Sequence, residues 1–277
     1  MSDGDKRDIA AAFIRDSPPG EINDVFNDVR ALVGDDALLQ QVIEPAFEAH
    51  HHEQLVAVAV PDSDYQVILG EHGRVEPGHY IDPRSGQLLV VDLVHQKVLS
   101  VQPHEQKHPQ HLLDQRSALD HAIQEYAASF YPSSVSTVWA TDDGALVAAI
   151  VANKYNPDNF WSGRWRSVWR IHPGSTELTG SAKAQVHYYE DGNVQNNTSR
   201  EFSVVIEALD DPAALAAAVV KLIKKHETDY QIALNETQER LSSDMFKSLR
   251  RALPLTRNKI DWPSILSYKI GSELSSK

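Results

Sequence analysis

"HEQKH", His104 to His108, sets two imidazoles four residues apart with Glu105 between them. This is the H-E-x-x-H pattern, in which two histidines one helical turn apart hold zinc and the glutamate acts as base. The chemistry requires a continuous helix, since only a helix brings i and i+4 to one side. Pro103 and Pro109 bracket the stretch, Pro109 biases His108 away from helical geometry, and no apolar face accompanies it. A polar loop is therefore expected, with a zinc hydrolase as the enzyme alternative. His50, His51 and His52 are consecutive and cannot point at one ion from regular structure, so they are expected at an exposed helix end. The sequons at Asn196, Asn197 and Asn235 have meaning only on a secretory route. No glycine-rich phosphate loop and no G-x-S-x-G elbow occurs, so no catalytic residue, cofactor or metal is assigned.

Two cationic patterns remain. "GRWRSVWRI" (163 to 171) alternates Trp165, Trp169 and Ile171 with Arg164, Arg166 and Arg170. Either the arginines form a phosphate-binding stripe, or the apolar face turns inward while they pair with acids of neighbouring strands or of a covering helix; the second is the expectation. The C-terminal stretch from Phe246 to Ile270 holds six bases (Lys247, Arg250, Arg251, Arg257, Lys259, Lys269) against Asp261 alone, a local charge of +5 in a chain of −13. It is either an ordinary helix folded on the body or a helix that docks in a groove on an acidic partner.

The overall acidity argues against nucleic acid as a general partner, because duplex binding rests on Lys and Arg neutralising phosphates. Absence of cysteine excludes disulfides and thiolate sites. The charged start, and apolar runs no longer than "ALVAAIVA" and "AALAAAVV", lead to the expectation of a soluble, cytoplasmic protein.

The elements that must position these residues follow from periodicity. Residues 1–50, with eleven acids against four bases, carry apolar residues at helical spacing broken at Pro18-Pro19-Gly20 and Gly34-Asp35-Asp36, which predicts three packed helices. Residues 51–132 read as a mixed globule of short strands at 55–60, 65–70, 87–94 and 97–101, followed by a helix over 112–131. Residues 133–210 read as five strands, at 134–140, 145–153, 163–172, 182–190 and 200–209, in an antiparallel meander with tight turns at Asp142-Asp143-Gly144 and Asp191-Gly192-Asn193. The second of these strands is apolar on both faces, so both faces of the sheet are expected to be covered there. Asp211 and Pro212 then start a helix with no proline or glycine from Ala213 to Leu253, a rod of roughly 60 Å at about 1.5 Å per residue. So long a helix calls for a sheet wider than five strands and hence for a partner. Pro254 stops it, and over 254–277 Asp261 can cap a last amphipathic helix carrying Trp262, Ile265, Leu266 and Ile270. The fold class is α+β.

"PPGEINDVFNDVR" (18 to 30), "GHYIDPRS" (78 to 85), "DNFWSGRWRS" (158 to 167), "QVHYYEDGNVQ" (185 to 195) and "LRRALPLTRNKIDWPSILSYKIG" (249 to 271) resemble, in order, the alpha subunit of the F-actin capping protein. The resemblance implies a non-catalytic protein of the cytoplasmic actin cytoskeleton, in patches or cortex, that binds filament barbed ends as an obligate heterodimer with a similarly folded beta subunit. It implies a helical stalk from the first helices, a sheet continued by the partner, and the long helix lying across it. Lys247, Arg250, Arg251, Arg257 and Lys259 would contact actin by charge. Trp262, Ile265, Leu266 and Ile270 would form a tentacle entering a hydrophobic cleft of actin. Lys247 and Arg251 would also bind inhibitory phosphoinositides, and regulatory proteins would bind the stalk. Pro263 departs from the family motif, and with six residues after Gly271 the tentacle is short; a smaller contribution to binding is expected from it.

Overall fold

The computed structural model describes residues 2–252 except 19, 41, 106, 132, 157, 159 and 189–193. The chain divides into two compact units, Met1–Asp229 and Tyr230–Lys277. Four helices open it instead of three: α1 (Asp3–Arg15), α2 (Ile22–Val33), α3 (Asp36–Gln40) and α4 (Ile43–Gln54). Ser2 and Asp5 form a reciprocal capping box at α1. The additional helix is α3, and the residues read as a break create it. Gly34 ends α2 at φ 65°, and the Asp35 carboxylate accepts from the Leu38 amide at 3.0 Å to start the next helix.

A ribbon of β1 (Ala57–Ala59) and β2 (Gln66–Ile68) follows, then an antiparallel sheet of β3 (Arg74–Glu76), β4 (His79–Asp82), β5 (Gln87–Asp92) and β6 (Lys97–Gln102), in that spatial order. β3 and β4 were not expected, because "RVE" and "HYID" are too short and polar to show a period. Ile14, Ile22 and Phe47 of the helices pack with Val67, Tyr80, Leu89 and Val98 in one buried cluster. Helix α5 (Gln110–Phe130) leads into the meander β7 (Ser134–Ala140), β8 (Leu146–Asn156), β9 (Trp161–Ile171), β10 (Glu177–Tyr188) and β11 (Val194–Val205), ordered β11-β10-β9-β8-β7. The first turn forms as expected, with Gly144 at φ 79° and the Thr141 amide donating to Ala145 at 2.9 Å. The second expected turn, at 191–193, lies outside the described residues. Helix α6 (Pro212–Ala252) closes the described chain, its start capped by the Asp211 carboxylate accepting from the Ala214 amide at 2.8 Å.

Ala145 to Ala152 are all buried, as the apolar run of β8 implies, so both faces of the sheet are covered at its middle. β9 divides them. Its arginine face pairs with acids at two of three positions, Arg166 with the Glu53 carboxylate of α4 at 3.2 Å and Arg170 with Asp143, and reaches backbone carbonyls besides: Arg164 donates to those of Gln54 and Leu55, and Arg166 to that of Glu53. These are the free carbonyls at the C-terminal end of α4, where a cation is also favoured by the helix dipole. Burial pulls the Arg166 guanidinium down from its ordinary range, and Glu53 opposes that.

The tryptophan face receives α5 and the first part of α6. The Glu227 carboxylate, fully buried, accepts from the Tyr126 hydroxyl at 2.9 Å, the Tyr131 hydroxyl at 2.6 Å and the Trp169 indole at 2.9 Å. Burial first, and then the charge of Glu227, push both phenols above their usual range. Trp169 in turn stacks on Phe202 at 4.9 Å and lies over Gly180, where a Cβ would come within 2.4 Å of its ring.

The histidine triplet corrects the expectation of an exposed helix end. His50 and His51 are buried because the last turn of α4 is inserted beneath the sheet; their rings donate to the Arg15 carbonyl at 3.1 Å and the Leu93 carbonyl at 2.7 Å. Burial lowers both to about 4, from 6.5 in the unfolded chain. Neutral in the fold, they contribute stability that is complete above about pH 6.5 and is lost as pH falls toward 4. Urea unfolding at pH 7.5 and 5.0 is expected to differ by about 1–3 kcal/mol for each histidine, and His51→Gln should shrink the difference; a pH-independent midpoint would refute it. Glu227→Ala, which leaves three buried donors without an acceptor, is expected to lower the unfolding free energy by about 3–5 kcal/mol in the same assay at pH 7.5.

Candidate functional site

Lys247, Arg250 and Arg251 fall in the last turns of α6, at positions i, i+3 and i+4 of one continuous helix. In the second unit this helix is supported locally by the Thr237 hydroxyl donating to the Ala233 carbonyl at 2.7 Å and an Arg240–Glu236 pair at 3.8 Å. Arg257, Lys259, Trp262, Ile265, Leu266 and Ile270, with the expected helix capped by Asp261, lie outside the described residues.

A second candidate surface has no counterpart in the sequence reading by residue. β11 is one of the two outer strands of the five-stranded sheet and, among the described residues, pairs with β10 alone, in register from Tyr188↔Val194 to Glu177↔Val205. Phe202 and Val204 point to the covered face, while Val205 on the other face is 85% exposed. An outer strand of this length can receive another strand by the same hydrogen bonding. Its neighbour β10 is fixed to the first helices and α4: His187 lies 2.7 Å from the Glu21 carboxylate, and Lys183 pairs with Glu53 at 2.9 Å. On the helices themselves, Phe13 of α1 and Leu32 of α2 are exposed. Only an end-to-end count of strands against helix length hints at the open edge; "VQNNTSR", the first part of β11, is polar and lacks a strand's apolar alternation.

The zinc pattern does not assemble. His104 and His108 stand in the loop between β6 and α5, so the helical spacing that two ligands require is not formed. Among the described residues no group of three histidines, aspartates or glutamates is arranged to hold a metal ion, and no helix is long and apolar enough to cross a membrane.

The comparisons with known proteins concern nearly the whole chain. The family model described as F-actin capping protein alpha subunit matches residues 10–273. The chain is 34% identical to the F-actin-capping protein subunit alpha of Neurospora crassa, over 97% of this chain and 96% of that one. It is 34% identical to the same subunit of Caenorhabditis elegans over 99% of each. Among solved structures, the homodimeric actin capping protein alpha subunit from Plasmodium berghei superimposes with a TM-score of 0.77 at 25% identity, covering 92% of this chain and 99% of that one. With profile, sequence and fold in agreement, the chain belongs to the F-actin capping protein alpha subunit family.

Proposed function

We propose that this chain, paired with a beta subunit, binds the barbed ends of actin filaments and blocks subunit addition and loss, without catalysis or severing. The observation that carries the reading is the near-complete family match, which extends through the basic stretch to residue 273. The open edge of β11 supports the pairing, since an uncovered strand calls for a partner. The alpha subunit from Plasmodium berghei is homodimeric, which favours a second reading in which another copy of this chain takes the beta subunit's place. Coexpression with a beta subunit distinguishes them by the composition of the purified dimer.

In this reading residues 1–50 contribute to a stalk, 51–132 form the globule, 133–210 the shared sheet, 211–253 the long helix and 254–277 the tentacle. Lys247, Arg250, Arg251, Arg257 and Lys259 attract acidic actin, and Trp262, Ile265, Leu266 and Ile270 enter an apolar cleft on it. Phosphoinositides would compete at Lys247 and Arg251, because anionic headgroups are drawn to clustered bases by the same charge. The protein would then act in the cytoplasm at cortex or patches, with further proteins regulating it at the stalk.

The purified dimer is expected to stop elongation in a seeded actin polymerisation assay at substoichiometric amounts; undiminished elongation sinks the proposal. Charge reversal at Lys247 and Arg251 should slow association about tenfold and flatten its dependence on salt, since steering charges act on the on-rate. Deleting 258–277 should weaken capping and leave the dimer intact, as judged by light scattering; a dimer that falls apart would make the tail a core element.

A further inference from the structure

A cleft of about 490 Å³ opens where the loop carrying His104 and His108 passes over β3, α5 and the end of β7. Two of its walls are Arg116 of α5, 8% exposed and with its Nη1 without a hydrogen-bond partner, and Trp139 of β7, 2% exposed, whose Nε1 is turned to Gly73, where a Cβ would come within 2.6 Å of it. Burial pulls the Arg116 guanidinium down from its ordinary range; Asp120 and Asp82 oppose that and Arg84 adds to it, and both carboxylates are engaged elsewhere. Asp120 accepts from Arg84 at 2.8 and 3.1 Å, and Asp82 accepts from the Tyr65 and Ser85 hydroxyls at 2.7 and 2.6 Å. What the cleft lacks is therefore acceptor oxygen, and a buried donor left without one is costly.

The third wall says what kind of molecule could bring that oxygen. β3 is the outer strand of its sheet and, among the described residues, pairs only with β4; Arg74 and Val75 on it line the cleft, and Val75 is 48% exposed. A free strand edge beside an unsatisfied donor suits an extended peptide, whose backbone adds to the edge while a side chain reaches inward. At the rim Lys107 is offset by Glu71, Glu105 and Asp142, so no broad positive field gathers a polyanion. We infer that this cleft docks an extended peptide from another protein, laid along β3 and presenting one carboxylate to Arg116 beside the Trp139 ring.

The test uses the full chain in its purified dimer and a fluorescein-labelled acetyl-Thr-Val-Glu-Val-Thr-amide, with its Glu→Gln counterpart and inorganic phosphate as controls. The glutamate peptide is expected to bind by fluorescence polarisation and to move the indole N–H resonance that Trp139→Phe removes. Arg116→Gln should weaken it at least tenfold. Val75→Asp, at an exposed edge position that leaves the fold alone, should do so by repulsion even if the arginine variant does not fold. Equal affinity for the glutamine peptide, an unmoved Trp139 resonance, or binding unchanged in Val75→Asp would overturn the inference. So would phosphate moving that resonance where the peptide does not, which would make the cleft a small-anion site. No actin is present, so the result is independent of capping.

Discussion

Two guanidinium groups set into the middle of a sheet govern the architecture of the first unit. Arg164 and Arg166 are almost completely buried, a position that would be prohibitive without acceptors. The acceptors are the last carbonyls of α4, groups that every helix leaves unsatisfied at that end. Each side thus resolves the other's deficit. Because the helix terminus has to sit where the guanidinium groups reach it, α4 is located relative to β9 to within a hydrogen bond, and the N-terminal helices packed on α4 follow.

The opposite face of β9 works through the reverse charge. A single carboxylate, Glu227, gathers donors from two positions on α5 and its C-terminal boundary and one on the sheet, joining three segments that are distant in sequence. Apolar burial of Leu215, Val219 and Ile223 would let α6 rotate or slide among similar packings; three directed hydrogen bonds would not. Gly180 completes the arrangement, since only the absence of a Cβ lets the Trp169 ring lie flat where its indole can reach the glutamate.

Much of this was legible in the sequence, and the exceptions have physical reasons. The meander, its first hairpin and the start of α6 could be read because turn glycines, a capping aspartate and a helix-compatible proline act locally. The arginine–tryptophan alternation gave the two faces of β9 and the acid pairing of Arg166 and Arg170, but not the carbonyls that receive Arg164 and Arg166, because backbone carbonyls leave no mark in a sequence. His50 and His51 were misplaced for a related reason: polarity suggests exposure, and only the tertiary position of the α4 terminus supplies the acceptors that make burial tolerable. β3 and the first half of β11 are strands by pairing, not by propensity. Of the candidate site, the family motif carried nearly everything; the basic residues at 247, 250 and 251 are placed on α6, and the remainder of the motif falls beyond Ala252.

The open side of β11 also bears on how much of this chain a cell can tolerate. The outer side of a twelve-residue strand forms a template that does not discriminate strongly among the strands that might add to it. If a partner strand covers it, as proposed, the chain before assembly competes between that pairing and joining whatever other edge is near, and the second outcome gains with concentration. Matched synthesis of the two partners, and prompt removal of any surplus, would then be selected for reasons that have nothing to do with filament ends.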